Sequence, residues 1–155
     1  MAGRIAPVSA TAELVVPETR SQVWRALAVL QPYCAVCDVS YVVTGTGGRT
    51  TFVAVPGRLE GDPPPGSPAG TVTGWRPGRV VATRLDLTPE TWTTRIELAD
   101  AGAGSTRVTM TVTHEPVGGS RLTRWLQKRA RQQLVGRMVD DELAKVPAHV
   151  AALSG

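Results

Sequence analysis

The last part of the chain has apolar residues at the spacing of a helix. Between Ser120 and Ala152 they recur at three- and four-residue steps, which is typical of an amphipathic helix. The apolar stripe consists of Leu122, Trp125, Leu126, Leu134, Val135, Met138, Val139, Leu143, Val146 and Val150. Such a long helix needs a large partner surface, and the residues before it have mostly the pattern of strands. The chain is therefore predicted to form a curved antiparallel sheet around one long C-terminal helix.

The start of the chain alternates between apolar and polar residues. Residues 8–16 have the period of two of a half-buried strand, and Pro17 ends it. A helix is predicted over residues 17–27, because it opens with proline and an acidic residue and carries Trp24 on an apolar face. Residues 31–38 are predicted to form a second small helix or a turn.

Six further strands complete the predicted sheet, at residues 39–44, 50–55, 71–75, 79–87, 91–98 and 106–114. Each strand from residue 79 onwards has one mainly apolar face and one polar face, as expected of an antiparallel sheet with one face in water. The fold class is α+β with seven strands in the order βααββββββα. Residues 57–70 are rich in proline and glycine and predict a surface loop, with a mobile flap over a pocket as the alternative.

Length and composition indicate one domain over residues 1–155, with a flexible leader at residues 1–7. The chain has 155 residues, 42% of them hydrophobic, which is enough to bury a core. It has no apolar run long enough to cross a bilayer and no apolar core of a signal peptide. We expect a cytoplasmic protein without stable membrane insertion.

The positive charge is concentrated in one place. The net charge is +4, and the cationic residues of the long helix crowd its first half: Arg121, Arg124, Lys128, Arg129, Arg131 and Arg137. This order opposes the helix dipole, which favours anions at the N-terminus. A solvated helix face is one interpretation, and a surface for an acidic partner is the other. Nucleic acid is not an expected partner.

Cys34 and Cys37 form a Cys-x-x-Cys motif. This spacing suits a redox disulfide or half of a zinc site. A zinc site needs two more ligands, and His114 and His149 are distant from each other and from the cysteines in the sequence. We therefore expect two small buried side chains, with redox or metal chemistry as the alternative, and predict no metal and no cofactor.

Several segments together resemble one known superfamily. They are the strand, turn and helix of Val15–Leu27, the Pro32-Tyr33 pair, the glycine hairpin after Val43, and the strands Trp92–Leu98 and Thr106–His114. They are similar to those of the START-like, Bet v 1-like helix-grip proteins, also called SRPBCC or polyketide cyclase/dehydratase proteins. The resemblance covers nearly the whole chain and implies the helix-grip fold. In this superfamily, function depends on the pocket and not on a shared signature.

The resemblance implies a cavity between the sheet and the long helix for a lipid, polyketide, hormone or other bulky apolar molecule. The residues agree with a roomy cavity, because the predicted inward positions Ala54, Thr73, Thr83 and Thr94 carry small side chains.

Candidate site residues follow from these inward positions. His114 ends an inward row and has a pKa suited to acid–base catalysis, with an inert strand-end histidine as the alternative. Tyr41 is the second catalytic candidate, because the resemblance to cyclase members implies a hydrogen-bond donor to a ligand carbonyl, with a place in the core or at the rim as the alternative for both Tyr41 and Tyr33. The expected ligand-binding residues are Tyr33, Phe52, Trp75, Trp92, Thr94, Met110, Trp125, Arg129, Gln133 and Arg137, the last three forming a polar stripe for an anionic or carrier-bound ligand.

Three functions are compatible with the sequence. The first is a protein that encloses a polyketide-like or aromatic molecule, with possible cyclisation or dehydration, although the inward faces carry few arginines or tyrosines. The second is a carrier, sequestering or self-resistance protein for a hydrophobic metabolite. The third is a protein-interaction module of the chaperone-activator type, which would use the basic helix face.

Overall fold

The computed structural model describes residues 6–87, 90–115 and 121–154, with side chains at residues 128–153 of the last range. The strands are β1 (Val8–Val16), β2 (Tyr33–Cys34), β3 (Val39–Thr44), β4 (Thr51–Pro56), β5 (Ala69–Arg76), β6 (Val80–Leu87), β7 (Glu90–Asp100) and β8 (Thr106–Glu115). The helices are α1 (Arg20–Ala28), α2 (Arg121–Ala144) and α3 (Val146–Ser154), and a 3-10 turn covers Gly47–Arg49.

All eight strands belong to one antiparallel sheet, in the order β1-β8-β7-β6-β5-β4-β3-β2. The strands from β3 to β8 therefore lie side by side in the order in which they occur in the sequence. β1 forms one edge of the sheet and pairs with β8. The C-terminal helices cover one face. The predicted α+β, helix-grip architecture is confirmed, although the described residues form eight strands and not seven.

Of the small helix and the turn predicted for residues 31–38, the structure contains the turn, at residues 35–38, and a short strand in place of the helix. Tyr33 and Cys34 form the short strand β2, which pairs with Val39 and Ser40. Asp38 closes the connecting turn with a φ of 54°, a left-handed conformation that aspartate tolerates better than most residues. The pairing of Tyr33 and Cys34 with β3 holds these residues in an extended conformation, which is incompatible with a helix.

The long C-terminal helix is interrupted at Lys145, so the prediction of one continuous helix is also wrong at this point. α2 ends at Ala144 and α3 begins at Val146. Pro147 lacks a backbone N–H and cannot donate to the carbonyl group one turn earlier, and its ring clashes with that carbonyl in a regular helix. Proline is tolerated in the first turn of a helix, where it lies in α3.

The hydrophobic core lies between β1, β7 and β8 of the sheet and the three helices. Its buried members are Val8, Val16, Val23, Leu98, Val108, Met110, Val112, Val135, Val139, Leu143, Val146 and Val150. Full burial of one such side chain contributes about 1.5–3 kcal/mol. The helical stripe predicted from the sequence supplies five of these residues, but Leu134 of that stripe is 43% exposed.

A buried hydroxyl group joins β8 to the start of α1. The fully buried Thr106 Oγ1 donates a hydrogen bond of 2.8 Å to the carbonyl oxygen of Glu18. Next to it, Thr19 and Gln22 form a reciprocal capping box at the N-terminus of α1, which satisfies backbone N–H groups that the helix leaves unpaired. These contacts fix where α1 leaves the sheet.

The two end strands of the sheet differ. β2 has only two residues. At the edge formed by β1, the carbonyl oxygen of Ser9 accepts a hydrogen bond of 2.9 Å from Gln132 Nε2 of α2. The carbonyl oxygen of Ala6, which precedes β1, accepts a hydrogen bond of 3.1 Å from Arg131 Nη2. α2 therefore binds β1 through polar contacts as well as through the core.

No helix in the described ranges is long and apolar enough to cross a membrane.

Candidate functional site

A cavity of ≈ 730 Å³ lies between the sheet and the helices. Its described walls come from the end of α1, the β2 turn, the inner faces of β3, β4, β6, β7 and β8, and one side of α2 and α3. The sheet contributes Val39, Tyr41, Phe52, Ala54, Val81, Thr83, Leu85, Leu87, Trp92, Thr94, Ile96, Met110 and Val112. These walls are mainly apolar, as in small-molecule pockets.

The structure brings six of the predicted site residues together in this cavity: Tyr33, Tyr41, Phe52, Trp92, Thr94 and Met110. Ala54 and Thr83 also line it, as their small size and inward parity predicted. Thr73 is exposed, and the expectation for it is wrong. The pairing of β5 with β6 shifts register between Val72 and Gly74, and such a bulge reverses the parity of the residue within it.

The other predicted ligand-binding residues lie elsewhere. Trp75 packs edge-on against Trp24 of α1 with ring centroids 5.0 Å apart, outside the described cavity wall. The polar stripe of Arg129, Gln133 and Arg137 is exposed on α2 and is likewise absent from that wall. The side chain of Trp125 lies outside the described residues. The roles of these residues remain predictions.

His114 is buried beside the cavity and not in its described wall. It is 4% exposed, and its ring stacks on that of Trp92 with centroids 4.2 Å apart. Its Nε2 atom lies 3.5 Å from Glu90 Oε2, which also accepts a hydrogen bond of 3.3 Å from Trp92 Nε1. Neither ring nitrogen of His114 forms a hydrogen bond with the described residues. His114 therefore contacts Trp92, and it is Trp92 that lines the cavity.

Tyr41 places a phenol group in the cavity wall. Burial, followed by the negative charges of the Cys37 and Cys34 thiolates and the Glu142 carboxylate, raises the pKa of Tyr41 to about 12. The phenol therefore keeps its proton at neutral pH and can donate a hydrogen bond to a carbonyl oxygen, whereas it cannot act as a general base there.

A glycine in the neighbouring strand makes room for Phe52. Phe52 of β4 is the direct cross-strand partner of Gly70 of β5, and a Cβ atom on Gly70 would overlap the Phe52 ring. The ring also meets Tyr41 edge-on, with centroids 5.9 Å apart. The absence of a side chain at Gly70 thus leaves the space that the Phe52 ring occupies in the cavity wall.

At the β2 turn, Tyr33 is held by polar contacts. Its hydroxyl group donates a hydrogen bond of 2.7 Å to Asp38 Oδ1, and the Arg58 guanidinium lies 4.1 Å above its ring. The hydrogen bond to Asp38 is the main cause that raises the pKa of Tyr33. Arg58 belongs to the 57–70 loop, but none of that loop's residues is among the described cavity walls. The start of the 57–70 loop is instead fixed by Ser40, because the Oγ atom of Ser40 donates a hydrogen bond of 2.7 Å to the carbonyl oxygen of Gly57.

His149 of α3 lies against both cysteines, so the expectation that it is far from them is wrong. Its Nδ1 atom is 3.8 Å from Cys34 Sγ, and its Nε2 atom is 3.7 Å from Cys37 Sγ. All three residues line the cavity. Burial lowers the pKa of His149 and, with the Glu142 and Cys34 charges, raises the pKa of Cys37 to about 11. The folding of α3 onto the β2 turn creates this cluster.

The fold belongs to a known structural class. An open antiparallel sheet of eight strands with a long C-terminal helix against one face defines the helix-grip, Bet v 1-like fold, so the resemblance seen in the sequence is confirmed for the fold. No protein-family model and no curated protein sequence matches the chain significantly.

Three solved structures illustrate the similarity. The Zhui aromatase/cyclase from Streptomyces sp. R1128 is 14% identical, with a TM-score of 0.69 and coverage of 94% of each chain. The protein of unknown function SA2116 from Staphylococcus aureus is 14% identical, with a TM-score of 0.70 and coverage of 96% of each chain. A point mutant of norcoclaurine synthase from Thalictrum flavum is 11% identical, with a TM-score of 0.56 and coverage of 88% of this chain and 96% of that chain.

Proposed function

We propose that the protein binds a bulky hydrophobic or aromatic small molecule, of polyketide-like type, in the cavity between the sheet and the C-terminal helices. The main support is the cavity itself, because its volume of ≈ 730 Å³ lies within the range of about 300–1,000 Å³ that is usual for ligand pockets. Its mainly apolar wall gains free energy when a ligand replaces water, at about 25 cal/mol per Å² of buried apolar surface.

The rim of the cavity supports the same function. Val29, Leu153 and Leu87 line the cavity, yet they are 49%, 46% and 38% exposed. Apolar side chains in contact with both solvent and a pocket mark the path by which an apolar ligand enters. The ends of α1 and α3 form part of this entrance, since Val29 directly follows α1 and Leu153 lies in the last turn of α3.

A matched pair of variants tests the cavity. Thr94→Phe places a large ring on the inner face of β7, whereas Thr93→Phe makes the same change at the adjacent residue of the opposite face. Binding is measured by titration with the fluorescent probe 1-anilinonaphthalene-8-sulfonate. We expect Thr94→Phe to weaken binding at least about tenfold, equivalent to about 1.4 kcal/mol, and Thr93→Phe to leave it unchanged. Equal effects of both variants would refute the cavity as the binding site.

The natural ligand is sought by native mass spectrometry of the protein purified from its own host. A retained aromatic or polyketide-like compound, at one per chain, supports binding and identifies the ligand. A clean apo mass after incubation with host extract counts against a tight carrier or sequestering protein. Binding of an acidic protein that is lost on charge reversal at Arg124 and Lys128 would instead favour an interaction module.

Catalysis of cyclisation or dehydration of a carbonyl-rich ligand is a second candidate. It is favoured by Tyr41, whose protonated hydroxyl group lies in the wall and can stabilise a developing enolate by hydrogen bonding. In this proposal His114 acts as the acid–base group only after Trp92, which separates it from the cavity, has turned aside, and the exposed Arg129 and Arg137 contact a carrier that delivers the ligand. Once the ligand is known, Tyr41→Phe should lower turnover about 10²–10³-fold, as for loss of one oxyanion donor, with little change in binding. Unchanged turnover, or an absence of turnover in the wild type, would leave the carrier function.

A further inference from the structure

The cluster of Cys34, Cys37 and His149 has the composition of a metal site. One donor atom from each residue lies within 4.8 Å of those of the other two. Two thiolates and one imidazole are donors that zinc prefers, and harder ions such as Mg²⁺ and Ca²⁺ avoid them. The cluster joins three parts of the chain, because Cys34 ends β2, Cys37 lies in the turn after it, and His149 belongs to α3.

The distances in the cluster are close to those that a tetrahedral zinc ion requires. With Zn–S bonds of about 2.3 Å and Zn–N bonds of about 2.0–2.1 Å, ligand atoms lie roughly 3.5–3.8 Å apart. The two sulfur-to-nitrogen distances are 3.8 Å for Cys34 and 3.7 Å for Cys37. They involve different ring nitrogens, and for one donor atom from each residue the separations are within 4.8 Å, so the imidazole and the thiols have to approach one another by up to about 1 Å to bind the ion.

We propose that Cys34, Cys37 and His149 bind one Zn²⁺ ion whose fourth coordination position is open to the cavity. All three residues line that cavity, and the described residues add no fourth member to the cluster. Three protein ligands with one open position distinguish catalytic from structural zinc sites. The proposal replaces the expectation, drawn from the sequence, that the protein holds no metal.

The surroundings of the cluster suit a ligand-facing ion. Glu142 lines the same cavity but its Oε1 atom accepts a hydrogen bond of 3.0 Å from Lys145 Nζ, so this carboxylate already has a cationic partner. Tyr41 lies in the adjoining wall. A zinc ion here would polarise a carbonyl oxygen that Tyr41 also contacts; this consequence rests on the proposed function, whereas zinc binding itself does not.

Metal binding is tested on the full chain without any organic ligand. Reduced, chelator-treated protein is titrated with Co²⁺, which replaces zinc in such sites and reports its ligands by absorption. We expect one Co²⁺ per chain, with the visible bands of a tetrahedral ion and the near-ultraviolet charge-transfer band of thiolate coordination. Zn²⁺ should then displace the cobalt and abolish the spectrum. A titration without the thiolate band would overturn the proposal.

Variants assign the ligands. Cys37→Ser and His149→Ala should each weaken Zn²⁺ binding by more than the about 10–100-fold that loss of an outer-shell partner costs, whereas Ala35→Ser, an exposed change between the cysteines, should bind as the wild type does. Circular dichroism checks that each variant is folded.

One measurement needs no variant. Stoichiometric Zn²⁺ should slow the alkylation of both Cys34 and Cys37 in the wild-type protein, and a chelator should restore the rate. Unchanged alkylation would overturn the proposal, as would air oxidation to a Cys34–Cys37 disulfide that Zn²⁺ fails to slow. These outcomes are separate from probe binding to the cavity, so the zinc site and the proposed function can fail independently.

Discussion

Replacement of Gly70 by alanine should destabilise the protein through one contact. The new methyl group would overlap the ring of Phe52, its cross-strand partner. Phe52 is 7% exposed and meets Tyr41 edge-on, so its ring can yield only by moving into the cavity or by displacing Tyr41. Gly70 itself does not need a positive φ, and the substitution therefore perturbs packing and not the backbone.

The expected magnitude is the difference between two effects. Overpacking of this kind costs about 1–3 kcal/mol, while alanine in place of glycine in a regular element gains about 0.5–1 kcal/mol. The free energy of unfolding, measured in urea, should therefore fall by up to about 2.5 kcal/mol for Gly70→Ala. Affinity for the cavity probe should fall as well, because the displaced ring occupies part of the cavity.

A double-mutant cycle identifies the contact. In a Phe52→Leu background the ring is absent, so Gly70→Ala should become neutral or slightly stabilising, which gives a coupling energy equal to the overpacking cost of about 1–3 kcal/mol. Gly136→Ala is the matched control, since a Cβ atom there meets nothing within 4 Å and should stabilise α2 by up to about 1 kcal/mol. An equal cost of Gly70→Ala in both backgrounds would refute the reasoning.

Three further predictions concern single groups. The pKa of Tyr41 is raised to about 12 from about 10 in the unfolded chain, so its contribution to stability is complete below about pH 10 and is lost as pH rises towards 12. Because the pKa of Cys37 is raised as well, Tyr41→Phe should make that loss smaller in urea titrations without abolishing it, whereas an unchanged loss would contradict the prediction. Thr106→Val removes the hydrogen bond to the Glu18 carbonyl group and should lower the free energy of unfolding by about 1–3 kcal/mol, and a neutral result would show that water replaces the hydroxyl group. His114→Phe keeps an aromatic ring against Trp92. Because the nitrogens of the His114 imidazole form no hydrogen bonds with the described residues, this substitution should change the free energy of unfolding by less than about 1.5 kcal/mol. A larger loss would show that the imidazole has a polar role.

Much of the sheet could be predicted because alternation along a strand records which face is buried. Trp92, Thr94 and Met110 line the cavity as their parity requires, and parity fails at Thr73, where a bulge adds one residue to the strand. The break between α2 and α3 also had a local signal in Pro147, but the apolar spacing continues through it. The apolar residues keep their three- and four-residue spacing across one interrupted turn, so this spacing alone does not reveal the interruption.

The rest of the site depends on contacts between distant residues. Cys37 and His149 are 112 positions apart, and neither local spacing nor composition predicts that α3 would return to the β2 turn. Trp75 has the apolar character of a cavity wall, but it contacts Trp24 of α1 instead. Nothing in the residue type distinguishes these two environments, because both bury an aromatic ring.

The ends of the sheet have a consequence for the protein at high concentration. An exposed strand offers its unpaired backbone groups as a template for another chain, and natural sheets limit this edge-to-edge aggregation. Here β2 is too short to serve as a template, and Gln132 and Arg131 occupy carbonyl groups along the edge at β1. These two side chains of α2 thus occupy backbone acceptors at the start of the β1 edge, a role unrelated to any ligand in the cavity.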